Sequence, residues 1–256
     1  MNKTILPKPI LAEAKKANSR FGLVEKRDKI LLAFSGGKDS TALIYLFDYY
    51  QKGLRMDFEF KPVIINYGSG SDEDEKLEKI KKDIFEKIGV KVEIFETNIF
   101  EIIEQKKNKN KSVCSFLARL RRGMLYKKAQ EWGANKLAIG HHLDDAIQTT
   151  LMSMFYTGSL RSMPPKYQAE NGLEIIRPLI FVQEKDIEYF VRKNKISVIG
   201  NEFCLGLNGE KKSHVRAEIK ELIKNLVKNN PKFYSSVKNA FQNLAPETFF
   251  VSKNKK

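Results

Sequence analysis

Ser35-Gly36-Gly37-Lys38-Asp39-Ser40 carries the clearest chemistry of this 256-residue chain. Gly36 and Gly37 lack a Cβ, so the oxygens of an anion can approach their backbone closely. Lys38 adds a point charge, and Ser35 and Ser40 add hydroxyl donors. The string follows the apolar run Lys29-Ile30-Leu31-Leu32-Ala33-Phe34 and precedes an apolar-periodic segment over 41–50. Strand, glycine turn and helix together aim backbone N–H groups and a helix N-terminus at a phosphate. Ser40 or Thr41 is a candidate cap for that helix. The spacing is not that of a Walker A loop, which needs four residues between its glycine and Gly-Lys.

Two further strings hold chemistry. In Gly140-His141-His142-Leu143-Asp144-Asp145 the aspartates open a helix after a strand end, where carboxylates can hold Mg²⁺ beside phosphates. A helix cap alone would account for Asp144 but not for its neighbour. Either histidine serves packing as readily as catalysis, and adjacent positions do not share a helix face, so the pair is not read as a metal site. The other string is Cys114-Ser115-Phe116-Leu117-Ala118-Arg119-Leu120-Arg121-Arg122-Gly123. Arg119 and Arg122 are three apart and share a helix face, whereas Arg121 points elsewhere. They form a solvated basic face or contact phosphates.

The elements that must position these residues alternate. Strands are expected at 29–34, 58–66, 91–97, 136–140, 175–179 and 197–199. Helices are expected at 10–20, 40–52, 72–87, 101–105, 115–132, 144–156, 184–194 and 211–229, and 106–111 reads as a basic loop. The alternation predicts an α/β fold with a doubly wound parallel sheet. Ligands of such sheets sit beyond the carboxyl ends of the strands, where the glycine turn, Asn66 and Gly140 all fall. Three segments are expected: a basic helical extension over 1–24, a domain carrying the phosphate-binding glycine loop over 25–205 and a helical extension over 206–256.

Composition narrows the partners. Lys and Arg number 46 against 31 Asp and Glu, a net charge of +15. Exposed lysine alone can produce that excess, but the clustered arginines favour a polyanion, with RNA the leading choice. No apolar stretch is long enough for a membrane span and the start lacks a signal-peptide core, so a cytoplasmic location is expected. The two cysteines, Cys114 and Cys204, are then expected as thiols or functional groups.

The glycine string resembles the PP-loop of ATP pyrophosphatases, which cleave ATP between its α and β phosphates. With the two other strings, and with Met163-Pro164-Pro165-Lys166, Ile176-Arg177-Pro178-Leu179 and Glu184-Lys185-Asp186-Ile187, the chain resembles the tRNA 2-thiocytidine synthetase family over residues 20–245. The resemblance implies an adenine nucleotide α-hydrolase-like fold. It implies adenylation of O2 of an anticodon-loop cytidine (position 32) by ATP, followed by sulfuration. It implies ATP contacts at Ala33, Phe34, Ser35, Gly36, Gly37, Lys38, Asp39, Ser40, Asn66 and Gly140, with Lys38, Asp39, Cys114 and Cys204 catalytic. Asp144 and Asp145 would hold Mg²⁺, and Arg119, Arg121, Arg122 and Lys166 would contact tRNA. Further partners implied are a sulfur donor of the cysteine desulfurase type and a second copy of the chain.

One departure matters. The family holds an iron–sulfur cluster on two Cys-x-x-Cys motifs, and here their positions read Cys114 and Leu117, then Asn201 and Cys204. A cluster held by three cysteines of this chain is impossible. Three explanations stay open: a persulfide and resolving pair at Cys114 and Cys204, a cluster with other ligands, or two structural relics. Other readings of the whole chain are a lysidine synthetase, which adds lysine and needs no cysteine, and an ATP- and RNA-binding module without catalysis.

Overall fold

The computed structural model describes residues 6–66, 71–97, 113–199 and 214–250, with backbone only at 71–73, 113–118 and 214. They form two compact units, the described parts of Met1–Ala146 with Met163–Glu210, and of Ile147–Ser162 with Lys211–Lys256.

The first unit opens with α1 (Lys8–Phe21), which Gly22 ends in the left-handed conformation. Then come β1 (Lys29–Phe34), α2 (Lys38–Asp48) with a π-helical turn over Tyr49–Gly53, β2 (Glu59–Asn66), α3 (Ser71–Ile88) and β3 (Glu93–Glu96). After them follow α4 (Val113–Trp132), β4 (Lys136–Ala138), the start of α5 (Leu143–Thr157), β5 (Lys166–Gln168), β6 (Glu174–Ile176) and α6 (Glu184–Lys193). The six strands lie in the order β3-β2-β1-β4-β6-β5. Every neighbouring pair is parallel except β5 with β6. The order reverses between β1 and β4, which opens a crevice at the carboxyl end of β1.

β1 is apolar throughout because both of its faces are covered. Leu31 and Ala33 join Val63, Ile65, Leu125, Ala129, Leu137 and Ile175 on the side where α4 packs. Ile30, Leu32 and Phe34 alternate to the other face and are equally buried, and α2 packs on β1 and on α6. Tyr45 of α2 meets Phe190 of α6 edge-to-face, with ring centres 5.2 Å apart.

Several expectations need correction. No strand forms over 197–199: the Ile199 amide donates to Gly36 O at 2.8 Å and the Ser197 amide to Asp83, which leaves no ladder. The strand expected at 175–179 ends at Ile176, because the Ile180 amide turns back to Arg177 O across Pro178. β5 is too short and polar to have been seen by pattern. The helix and loop expected over 101–111 lie outside the described residues. Among the described residues no helix is long and apolar enough to cross a membrane.

At the amino end of the interior strand β4, Lys136 is only 4% exposed. Its Nζ lies 2.8 Å from Asp28, 2.9 Å from Glu25 and 3.4 Å from Glu174. Burial alone would lower its pKa, but the hydrogen bonds it donates to Asp28 and Glu25 outweigh this and hold the lysine above its usual value. The stabilisation is therefore complete below the unfolded lysine pKa and lost as pH rises through the folded one. Lys136→Met strands buried Asp28 without a cation and is expected to cost about 3 kcal/mol. An unchanged urea midpoint for that variant would refute the network's role.

In the second unit α5 ends, and α7 (His214–Asn229), α8 (Phe233–Ala240) and a 3₁₀ turn (Pro246–Thr248) follow. α7 buries Ile219 and Ile223, one turn apart, and the Tyr156 hydroxyl donates to Glu218 at 2.7 Å.

Candidate active site

The loop after β1 is shaped by its own glycines and hydroxyls. Gly36 sits at φ +76°, and a Cβ there would lie 2.6 Å from Ile199 Cδ1. α2 begins at Lys38 with Gly37 as its N-cap residue and no side-chain cap. Ser40 and Thr41, the alternative cap candidates, instead donate to Gly37 O at 3.0 and 2.9 Å. The Ser40 hydroxyl also accepts from the Ser35 amide at 3.1 Å, and the two hydroxyl oxygens are 3.0 Å apart. These bonds fix the turn from which α2 starts, and no side-chain hydrogen bond caps that start among the described residues.

Gly140 brings the β4–α5 turn against this loop. A Cβ at Gly140 would lie 3.0 Å from the Ser40 amide nitrogen and 3.1 Å from the Asp39 carbonyl. Both are backbone atoms, so the turn must move to admit one. Gly140→Ala is expected to weaken ATP binding at least about tenfold, through misplacement of α2's first turn. Calorimetric titration with ATP checks this, and wild-type affinity would show that the contact is dispensable.

Two residues organise the charges. Lys38 Nζ lies 2.9 Å from Glu184 Oε1 and 3.1 Å from Asp39 Oδ1. Burial lowers the Lys38 pKa, but Asp39 and Glu184 together more than reverse this and keep the ammonium charged. His142 is 2% exposed among three carboxylates. Its Nε2 is 3.6 Å from Asp39 and 3.5 Å from Asp145, and its Nδ1 is 3.7 Å from Asp144. Among the described residues that buried Nδ1 has no hydrogen-bond partner.

The two aspartates hold up different helices. Asp145 Oδ2 accepts the His142 amide at 3.1 Å, which is half of a capping box for α5. Asp144, for which a cap on α5 was the alternative to a metal-holding role, instead accepts the Glu184 amide at 2.7 Å and so caps α6. Among the described residues, no group of three His, Cys, Asp or Glu side chains forms a ready-made metal cage. Carboxylates beside a phosphate loop still fit Mg²⁺, which takes one or two of them plus phosphates and water.

The remaining expected site residues divide. Ala33 and Phe34 are buried in the core, so only their backbone can face a nucleotide. Asn66 ends β2 at the same edge and donates to Asp74 at 2.7 Å. Arg119 and Arg122 are exposed on α4, and Arg121 is half-buried. Lys166 is partly committed, with Nζ 3.5 Å from Glu174. Cys114 is the second residue of α4, its side chain outside the described atoms, and Cys204 lies outside the described residues. Sequence reasoning missed Glu184 as the partner of Lys38, although an acidic residue opening a helix was visible. It noted Arg177 only within the family pattern and gave it no role, whereas its Nε donates to His141 Nδ1 at 3.2 Å.

The PP-loop domain family matches residues 9–224. A tRNA-cytidine(32) 2-sulfurtransferase of Geotalea daltonii is 38% identical over 232 residues, covering 90% of this chain and 89% of that one. The chain belongs to this family of PP-loop proteins. A second member, from Coxiella burnetii, is 34% identical over 247 residues, 96% of this chain and 93% of its own. The solved U34-tRNA thiolase NcsA of Methanococcus maripaludis, described with its [4Fe-4S] cluster, superposes with a TM-score of 0.70 at 21% identity. That match covers 91% of this chain and 78% of the other and establishes the fold. A cluster on three thiolates does not fit this member, whose chain has two cysteines.

Proposed function

We infer that the protein thiolates tRNA cytidine 32 to 2-thiocytidine, using ATP. The observation that carries this is the convergence of the PP-loop, Lys38, Asp39 and the Asp144–Asp145 pair at one sheet edge, in a chain whose relatives are tRNA-cytidine(32) 2-sulfurtransferases. Cytidine O2 attacks the α-phosphorus of ATP and pyrophosphate leaves. Sulfur then attacks C2, and AMP departs with the former O2. Lys38 and the N-terminal amides of α2 hold phosphate charge, and Asp144 and Asp145 are the candidate holders of Mg²⁺, which would neutralise phosphate charge when bound.

With two cysteines, the sulfur route that fits is a persulfide on one of them, loaded by a cysteine desulfurase-type donor. Its terminal sulfur attacks C2 and expels AMP, which leaves a Cys–S–S–C2 adduct. The second thiolate attacks the cysteine sulfur of that adduct, releases thiocytidine and forms a disulfide that a thiol reductant reopens. Cys114 opens a helix, a position that favours the thiolate. A cytoplasmic location suits these thiols and this substrate.

Nucleoside mass spectrometry of tRNA from cells with and without the gene tests the reading. Loss of 2-thiocytidine on deletion is expected. Unchanged 2-thiocytidine, with loss of lysidine or another nucleoside instead, would reassign the chemistry.

A further inference from the structure

Charge is divided unevenly between the two units. The second, Ile147–Ser162 with Lys211–Lys256, holds twelve Lys and Arg against three Asp and Glu. It therefore carries +9 of the net +15 on 62 of the 256 residues, and the first unit carries the other +6. A lysine-rich composition alone would spread the excess along the chain, whereas an excess gathered in one part points to a polyanion.

Two surface helices show the difference. α3 holds five lysines and seven acids, and its charges pair along the helix, Lys81 with Glu78 at 2.7 Å and Lys87 with Asp83 at 3.2 Å. α7 holds four cations and two glutamates. Arg216, Lys220, Lys224 and Lys228 recur there every four residues, and all four are exposed. Residues four apart lie about 40° from one another round a helix, so they form one slowly winding row, about 18 Å long at 1.5 Å per residue. Lys232 follows, exposed at the N-cap position of α8. Ile219 and Ile223 are buried and fix α7 in its unit, which sets the direction of the row. Of the two glutamates, Glu218 accepts the Tyr156 hydroxyl at 2.7 Å. Glu221 lies 3.4 Å from Lys224, an exposed pair that neutralises little.

We propose that the row Arg216, Lys220, Lys224 and Lys228 docks the phosphate backbone of tRNA, as a contact surface additional to the residues of α4. Lysine ammonium groups engage phosphates as point charges and read no sequence. A nucleic-acid duplex presents a phosphate on each strand about every 3 Å of its axis, so a row of this length faces several. A phosphate polymer fits better than a membrane. An interfacial helix would offer its apolar stripe to lipid, and here Ile219 and Ile223 are buried in the protein. The proposal rests on the chain acting on tRNA.

Lys220→Gln, Lys224→Gln and Lys228→Gln are combined in one variant, since all three side chains are exposed and the fold does not depend on them. Two controls accompany it. One replaces the same three lysines by arginine and keeps the charge. The other, Lys76→Gln with Lys79→Gln and Lys82→Gln, removes the same charge from exposed positions of α3. Filter binding of tRNA is measured across a KCl series, with KM and kcat for 2-thiocytidine formation and co-sedimentation with phosphatidylserine–phosphatidylcholine vesicles. Each lost phosphate contact makes the slope of log K against log [KCl] shallower by about 0.7 to 0.9. The α7 glutamine variant is therefore expected to lose about two units of slope and to bind tRNA about 100-fold more weakly near 0.1 M salt. KM for tRNA should rise with it, and kcat at saturating tRNA should hold. Both controls are expected to keep the wild-type slope. A wild-type slope in the α7 glutamine variant overturns the proposal, and so does an equal loss in either control. Vesicle binding that depends on the row, with the tRNA slope unchanged, overturns it in favour of a membrane surface. The expected slope change in a protein that forms no 2-thiocytidine overturns the proposed reaction and leaves the docking surface standing.

Discussion

Lys38→Ala is expected to lower tRNA-dependent pyrophosphate release at least about 100-fold, the scale of one preorganised charge at a reacting phosphate. The side chain is ionised, partly buried and already held by Asp39 and Glu184, so its position is set before any nucleotide arrives. Its removal leaves two carboxylates facing the incoming phosphates without a cation. Asp39→Ala should fail as severely by another route, because that carboxylate also orders the buried His142 ring. Folding should survive both changes, since neither side chain lies in the apolar core, and thermal melting checks this. Pyrophosphate release at the wild-type rate in both variants would rule out the loop as the ATP site.

Cys114→Ser is expected to separate the two half-reactions. Pyrophosphate release should persist near the wild-type rate, while 2-thiocytidine formation should fall by about three orders of magnitude or more, as expected when a nucleophile is removed. Serine keeps the size and the helix position of the cysteine and cannot carry a persulfide. Cys204→Ser should block the same step later, with the tRNA trapped as a disulfide adduct that a thiol reductant releases. Full thiolation by Cys114→Ser would mean that sulfur comes from outside this chain and that the cysteines are structural.

The placement of much of the candidate site was legible in the sequence, for identifiable reasons. Residues 29–40 declared strand, glycine turn and helix in one continuous string, so local chemistry and topology agreed. Asn66 and Gly140 followed, because strand ends of a parallel sheet share one edge. Long-range pairing was not legible. Nothing local shows that Lys38 meets Glu184, 146 positions later, or that Asp144 caps α6 and not α5. Arg177 belonged to a family pattern, but its bond to His141, 36 positions earlier, was not legible. Ser197-Val198-Ile199 misled by composition: β-branched residues suit a strand, but here Ile199 gives its amide to the phosphate loop and fills the space over Gly36.

The antiparallel β5–β6 pair has a consequence for how copies of this protein can meet. β5 forms one margin of the sheet, is three residues long and follows Pro164 and Pro165, neither of which has an N–H to offer. Lys166 and Gln168 flank Tyr167 along it. The opposite margin, β3, spans four residues that begin and end with glutamate. Among the described residues both margins are thus short and carry charged or polar residues, features that discourage a further strand from adding on. Sheet extension is disfavoured as a route to association, and a pair of copies would have to meet through helices.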